Sequence, residues 1–161
     1  MATIKKGGII VMARFELIQE IFRINGEDSL LPARGSSYSA GYDFYMPYDL
    51  EIEPGETVIV FTDVKCYLEH NKVLMLFPRS SMASRMGLVL ANVIGVIDAD
   101  YYSNQDNDGN IGIPLKNTSN KTIKLERFDR ICQGIILTYD VCDNDHTNIA
   151  RKGGFGSTGI N

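Results

Sequence analysis

The chain has 161 residues, 44% of them hydrophobic and 22% charged, with a net charge of −4 and a pI of about 5.1. This is the balance of a soluble globular protein, and its acidity argues against direct binding to nucleic acid or to an anionic membrane surface. No apolar run is long enough to span a bilayer, and three cysteines at unpatterned spacings (Cys66, Cys132, Cys142) fit a reduced, cytoplasmic setting.

One domain is expected over 1–161, with 1–13 as an N-terminal appendage and 141–161 as a C-terminal arm. The opening MATIKKGGIIVMARF carries two lysines and an apolar patch too short for a signal-peptide core, and Met12 is an alternative start. From Arg14 to Ile24, apolar and polar residues alternate at first, as in a half-buried strand, with a helix as the alternative. Residues 26–37 carry Pro32 and Gly35 and read as loop. Between 39 and 69, two strand-like runs flank the turn Pro54-Gly55. KVLMLF, residues 72–77, is another strand, stopped by Pro78. SSMASRMG then holds one or two helical turns, with Ser80 or Ser81 as N-cap and Gly87 closing.

The run from Leu88 to Tyr102 starts apolar and ends on Asp98, Asp100 and two tyrosines. Asn92 and Gly95 interrupt it, and a glycine in a strand pattern marks a bulge or a close approach to the backbone. Such a tip can hold a water beside a flat substrate, or it is a core hairpin with an acidic turn. Residues 103–110, SNQDNDGN, form a polar insert. Two strands follow around an Asn-Thr-Ser-Asn turn, and Arg130 to Tyr139 makes a last core strand. Many short strands with frequent turn residues point to an all-β fold, a jelly-roll-like barrel or sandwich.

Two stretches suit phosphate. RKGGFGSTG near the end sets Gly153, Gly154, Gly156 and Gly159 around Phe155, with Arg151, Ser157 and Thr158 nearby. Its free N–H groups, hydroxyls and guanidinium can bind phosphate while Phe155 stacks on a base; the other reading is a solvated chain end. Arg79, Ser80 and Ser81, where a strand meets a helical turn, offer a second anion site, or merely a capped turn with a surface arginine. Asn104, Asp106, Asp108 and Gly109 imitate the start of a calcium loop. Position twelve is Leu115 rather than a glutamate and no helices flank the loop, so calcium is discounted. His70 and His146 lie far apart, without the context of a catalytic cysteine.

Five segments in order, SAGYDFY (39–45), PRSSMAS (78–84), ANVIGVIDADYY (91–102), DRICQG (129–134) and GGFGSTG (153–159), resemble the trimeric dUTP pyrophosphatase (dUTPase) family, as in its bacterial and phage members. The resemblance covers nearly the whole chain from Phe15 onward. It implies hydrolysis of dUTP to dUMP and pyrophosphate, which limits uracil in DNA and supplies dUMP for thymidylate synthesis. Asp98 matches the carboxylate that activates the attacking water. Tyr101 matches the ring under the deoxyribose. The backbone of Asn92 to Ile97, with Gly95 and Val96, matches the hairpin that reads uracil. Arg79, Ser80, Ser81 and Gln133 match phosphate ligands. Arg151, Ser157 and Thr158, with Gly156 between, match the arm's contacts to the γ-phosphate, and Phe155 matches the ring that closes over the base.

The resemblance also implies Mg²⁺ bridging the phosphates, with Asp43 acting on it through water, and a homotrimer whose three subunits share each site. Three departures stand out. Arg151 precedes the aromatic by one residue fewer than usual, so Lys152 could share its phosphate. Tyr102-Ser103 replaces a variable residue and glycine. The insert at 103–110 is long, and a protein partner such as a repressor could bind there. A related dCTP deaminase is the alternative enzyme, but no acid or base stands out for the amine end of a cytosine.

Overall fold

Where apolar alternation is bounded by turn residues, the chain forms short antiparallel strands. The computed structural model describes residues 4–5, 8–9, 12–26, 28–149, 151 and 153–154. Its strands are β1 (Ile4–Lys5), β2 (Gly8–Ile9), β3 (Ala13–Leu17), β4 (Ala33–Arg34), β5 (Tyr42–Tyr45), β6 (Leu50–Ile52) and β7 (Thr57–Phe61). Then come β8 (Val64–Leu68), β9 (Lys72–Phe77), β10 (Leu88–Leu90), β11 (Gly95–Ile97), β12 (Gly112–Asn117), β13 (Ile123–Leu125) and β14 (Arg130–Thr138). The largest sheet runs β11-β9-β14-β5-β4, a second runs β10-β12-β7, and β13-β6 and β3-β8 are pairs. Helix among the described residues is limited to single turns at Glu20–Phe22, Met82–Met86 and Ala99–Tyr101. The all-β expectation holds.

One core joins the sheets. Leu74, Leu76, Phe44 and Ile131 come from the five-stranded sheet, and Val60, Leu88, Ile113 and Leu115 from the three-stranded one. Each such side chain contributes about 1.5–3 kcal/mol by leaving water. Gly55 and Gly87 close turns with φ of +80° and +71°, where a Cβ would be strained.

Several expectations needed correction. The strand expected from Arg14 to Ile24 ends at Leu17 and gives way to a single tight turn at Glu20–Phe22. The cause is Asp63, which reverses the chain between β7 and β8 with φ +58°. Its carboxylate accepts from the N–H groups of Ile24 and Asn25, folding that segment back over it. Ser81 precedes the turn at Met82–Met86, but its hydroxyl makes no capping bond.

The insert at 103–110 is not a simple surface excursion. Asp108, Gly109 and Asn110 are buried, while Ser103, Gln105 and Asp106 remain exposed. Asp108 meets the Lys65 ammonium at 2.8 Å and accepts from the backbone N–H and side-chain amide of Gln19. Burial pushes the Asp108 carboxyl up, but the bonds from Lys65 and Gln19 together outweigh it and hold the group below the ordinary carboxylate range.

Candidate active site

The residues expected to carry chemistry fall into two groups on the five-stranded sheet. The first lies beyond the end of β9. Asp43 on β5 stands across from Gln133 on β14, and Gln133 stands across from Phe77 on β9. From just past Phe77, the Arg79 guanidinium reaches Asp43 at 3.2 Å, and Arg130 reaches its other oxygen at 3.3 Å. Gln133 donates to the Pro78 carbonyl at 3.4 Å. A Cβ on Gly41 would stand 2.7 Å from Gln133 Oε1, so a glycine is required for Gln133 to lie there. Ser80 is exposed and Ser81 half-buried beside this group, with Ser84 Oγ donating to the Ser80 carbonyl. Two guanidiniums, an amide and two hydroxyls make this end an anion receiver.

The second group lines a cleft of about 240 Å³ along β11, with Asn92, Gly95, Val96, Ile97, Asp98, Tyr101, Arg151 and Gly154 among its walls. Gly95 packs so tightly on β9 that a Cβ would meet Leu76 at 3.0 Å. Asp98 leaves the end of β11 with its carboxylate 53% exposed. Arg151 Nη2 donates to Asp98 at 3.1 Å, and its Nε donates to Asp100 at 3.0 Å. The guanidinium also lies 5.5 Å over the Tyr101 ring. Tyr101 is buried; burial raises its phenol's pKa, against the opposing effects of the Asn107 hydrogen bond and the Arg151 charge.

The two groups do not meet within one chain. Asp98 follows Ile97, which pairs with Leu74, whereas Asp43 shares a row with Gln133 and Phe77. Three strand spacings across and four residues along put Asp43 and Asp98 roughly 20 Å apart. Of the arm, Arg151 and Gly154 join the second group; Lys152, Phe155, Gly156, Ser157 and Thr158 lie outside the described residues.

Sequence reasoning missed Arg130 as a second partner of Asp43, although it begins the strand that carries Gln133. It also left Asp100 and Tyr102 without roles. Asp100 shares Arg151 with Asp98, and the Tyr102 hydroxyl donates to Glu16 on β3. The Lys65 ammonium lies 4.8 Å over the Tyr102 ring. These contacts span 37 to 87 residues of sequence, and no local pattern marks them.

Comparison with known proteins fits this geometry. A family model described as dUTPase matches residues 27–159. The deoxyuridine 5'-triphosphate nucleotidohydrolase of Lactococcus lactis is 38% identical over 131 residues, covering 80% of this chain and 87% of its own. That of Paraburkholderia phymatum is 35% identical over 137 residues, covering 80% and 88%. The crystal structure of dUTPase from Streptococcus mutans superposes with a TM-score of 0.73 at 41% identity, covering 81% of this chain and 98% of that one. A dUTPase from phage phi11 of S. aureus, in which a structural Mg(II) ion is coordinated, shares the fold with a TM-score of 0.67 at 23% identity, covering 85% and 97%.

Proposed function

The chain belongs to the dUTPase family, and we propose that Asp98 holds the water that opens the triphosphate of dUTP. The reaction is hydrolysis of deoxyuridine 5'-triphosphate. The observation that carries the reading is Asp98 at the tip of β11, exposed at the end of a cleft whose other wall is the backbone of Asn92 to Ile97.

The water's oxygen bonds to the α-phosphorus as its proton passes to Asp98. The bond from the α-phosphorus to the bridging oxygen breaks, and pyrophosphate leaves. Most of the acceleration comes from orientation and charge neutralisation. Uracil is read by fixed backbone groups of the hairpin: one accepts the N3 proton and one donates to O4. Cytosine reverses that pattern and would leave polar groups unpaired. Tyr101 packs under the deoxyribose.

Arg79, Ser80, Ser81 and Gln133 receive the phosphates. Their group lies roughly 20 Å from Asp98 in the same chain, farther than one nucleotide's phosphates reach past its α-phosphorus. That separation supports a homotrimer in which one subunit's phosphate group faces another's hairpin, with Arg151 of the arm lying on the hairpin of its own chain.

Among the described residues no cluster of three or more His, Cys, Asp or Glu side chains could hold a metal by itself, so Mg²⁺ would be held chiefly by the hard oxygens of the triphosphate. Asp43 already holds two guanidiniums, so it would touch the ion through water rather than directly. When bound, Mg²⁺ neutralises phosphate charge. A protein partner at residues 103–110 would meet the exposed Ser103, Gln105 and Asp106.

Pyrophosphate release from dUTP, set beside dCTP and dTTP, tests the reading. Hydrolysis of dUTP alone is expected, and an Asp98→Asn variant should lose about 100-fold or more in kcat while still binding dUTP. A fully active Asp98→Asn variant would remove Asp98 from its role.

A further inference from the structure

The Tyr101 side chain is tethered at its tip, and its residue is tethered at the backbone. Its hydroxyl donates to the Asn110 carbonyl at 2.8 Å and accepts from Asn107 Nδ2 at 2.8 Å. Its own carbonyl accepts from Asn104 Nδ2, also at 2.8 Å. Asn107 is in turn held: its Oδ1 accepts from Asn104 Nδ2 at 2.8 Å and from the Gly109 N–H at 3.1 Å. Asn104 Oδ1 accepts the N–H groups of Asp106 and Asn107. Gly109, with φ +86°, packs so closely that a Cβ would stand 2.9 Å from the Tyr101 carbonyl oxygen. The loop is anchored below by the buried Asp108–Lys65 pair.

A ring excludes a 2′-hydroxyl only if it cannot retreat, because a shift of about 1 Å is enough to change what a site accepts. Packing alone leaves a tyrosine free to rock about its side-chain torsions. A hydroxyl bonded on both its donor and acceptor sides does not rock without breaking a bond. We propose that Asn107 is a positioning residue for sugar selection: its amide pins the Tyr101 hydroxyl so that the ring face rejects ribonucleotides. The insert at 103–110 is then the brace of the sugar test. The proposal rests on the reading of Tyr101 as the ring beneath the deoxyribose.

The test is steady-state kinetics with dUTP and UTP on the full chain, alongside thermal melts. Asn107→Ala should lower the ratio of kcat/KM for dUTP over UTP by about five- to tenfold. The change should appear as better use of UTP, with kcat for dUTP falling less. Tyr101→Phe keeps the ring and removes the hydroxyl with its bonds to both Asn107 and Asn110, so it should give at least as large a relaxation even if Asn107→Ala folds poorly. The double variant should relax the ratio no further than Tyr101→Phe alone. Equal loss on both nucleotides, with the ratio unchanged, would make Asn107 merely structural and overturn the proposal. Tyr101→Ala separates the two layers. A relaxed ratio in Tyr101→Ala with an unchanged ratio in Asn107→Ala and Tyr101→Phe overturns the brace alone. An unchanged ratio in Tyr101→Ala overturns the reading of Tyr101 itself.

Discussion

Arg151 and Asp98 are ion-paired at 3.1 Å, so the arm's cation and the carboxylate at the tip of β11 offset each other in the free chain. Arg151 is only 17% exposed, but the Asp98 and Asp100 carboxylates it joins are 53% and 58% exposed, and ion pairs with carboxylates so open to water contribute about 0–1 kcal/mol each. On the proposed reading, a triphosphate would draw Arg151 away from Asp98 and Asp100 at little cost and free the Asp98 carboxylate. Arg151→Ala should lower kcat/KM for dUTP by about 10- to 100-fold through loss of a charged phosphate contact. The inhibition constant of dUDP, which lacks a γ-phosphate, should change much less. Equal losses for the two nucleotides would place Arg151 away from the γ-phosphate.

The separation of Asp43 from Asp98 predicts complementation between defective chains. Asp98→Asn chains and Arg79→Ala chains should each be nearly inactive alone. Refolded together in equal amounts, they should regain about a quarter of the wild-type rate, the fraction of sites that draw a whole half from each partner in a cyclic assembly. A site complete within one chain would regain nothing.

The Lys65–Asp108 pair is buried, with exposures of 9% and 1% for the two side chains. Asp108→Ala leaves the Lys65 charge buried without its carboxylate and should cost about 3–5 kcal/mol. For a chain of this size, the melting temperature should fall by on the order of 10 °C in calorimetry.

The same carboxylate gives acid sensitivity of known sign. Its folded pKa lies below its unfolded value, so the unfolded state binds the proton more tightly. The stabilisation is fully present above the unfolded value, about 3.9, and is lost as pH falls through the lower folded value. Chemical denaturation from pH 7 down to pH 2 should show the gap between wild type and Asp108→Asn holding down to about pH 4 and narrowing below it. A gap that stayed constant across that range would mean that the carboxylate titrates alike in both states.

The three cysteines should separate cleanly in alkylation at neutral pH. Burial, with a smaller effect of the Glu16 charge, pushes the Cys66 thiol up to about 12. Burial also raises Cys132, helped by the Asp43 charge, while Cys142 is exposed. One fast-reacting thiol is expected by mass spectrometry, at Cys142, with the others modified only on unfolding.

The strands were legible where apolar residues alternate or run together between turn residues, as in KVLMLF and RICQGIILTY. Pro54-Gly55 and Gly87 were legible because each marks a conformation that favours glycine. Asp63 was not: a lone aspartate reverses the chain there, paid for by bonds to residues about 40 positions earlier. The residue types of the site were readable because carboxylates, arginines and glycines have few structural reasons to cluster at strand tips. Their division into two groups was implied only by the resemblance to a trimer with shared sites, since no local pattern reveals the strand order on which it depends. The insert read as polar because Asp108 and Asn110 are polar, yet both are buried beside partners that the local sequence does not reveal.

Strand β9 connects the two groups, with the β11 cleft paired along it and Arg79 just past its end. It therefore acts as a ruler. A substitution on its surface changes one contact, whereas adding or deleting two residues within it shifts one half of the site against the other by about 7 Å in every subunit at once. Among descendants of this sequence, the length of that strand should vary far less than the identity of the residues along it.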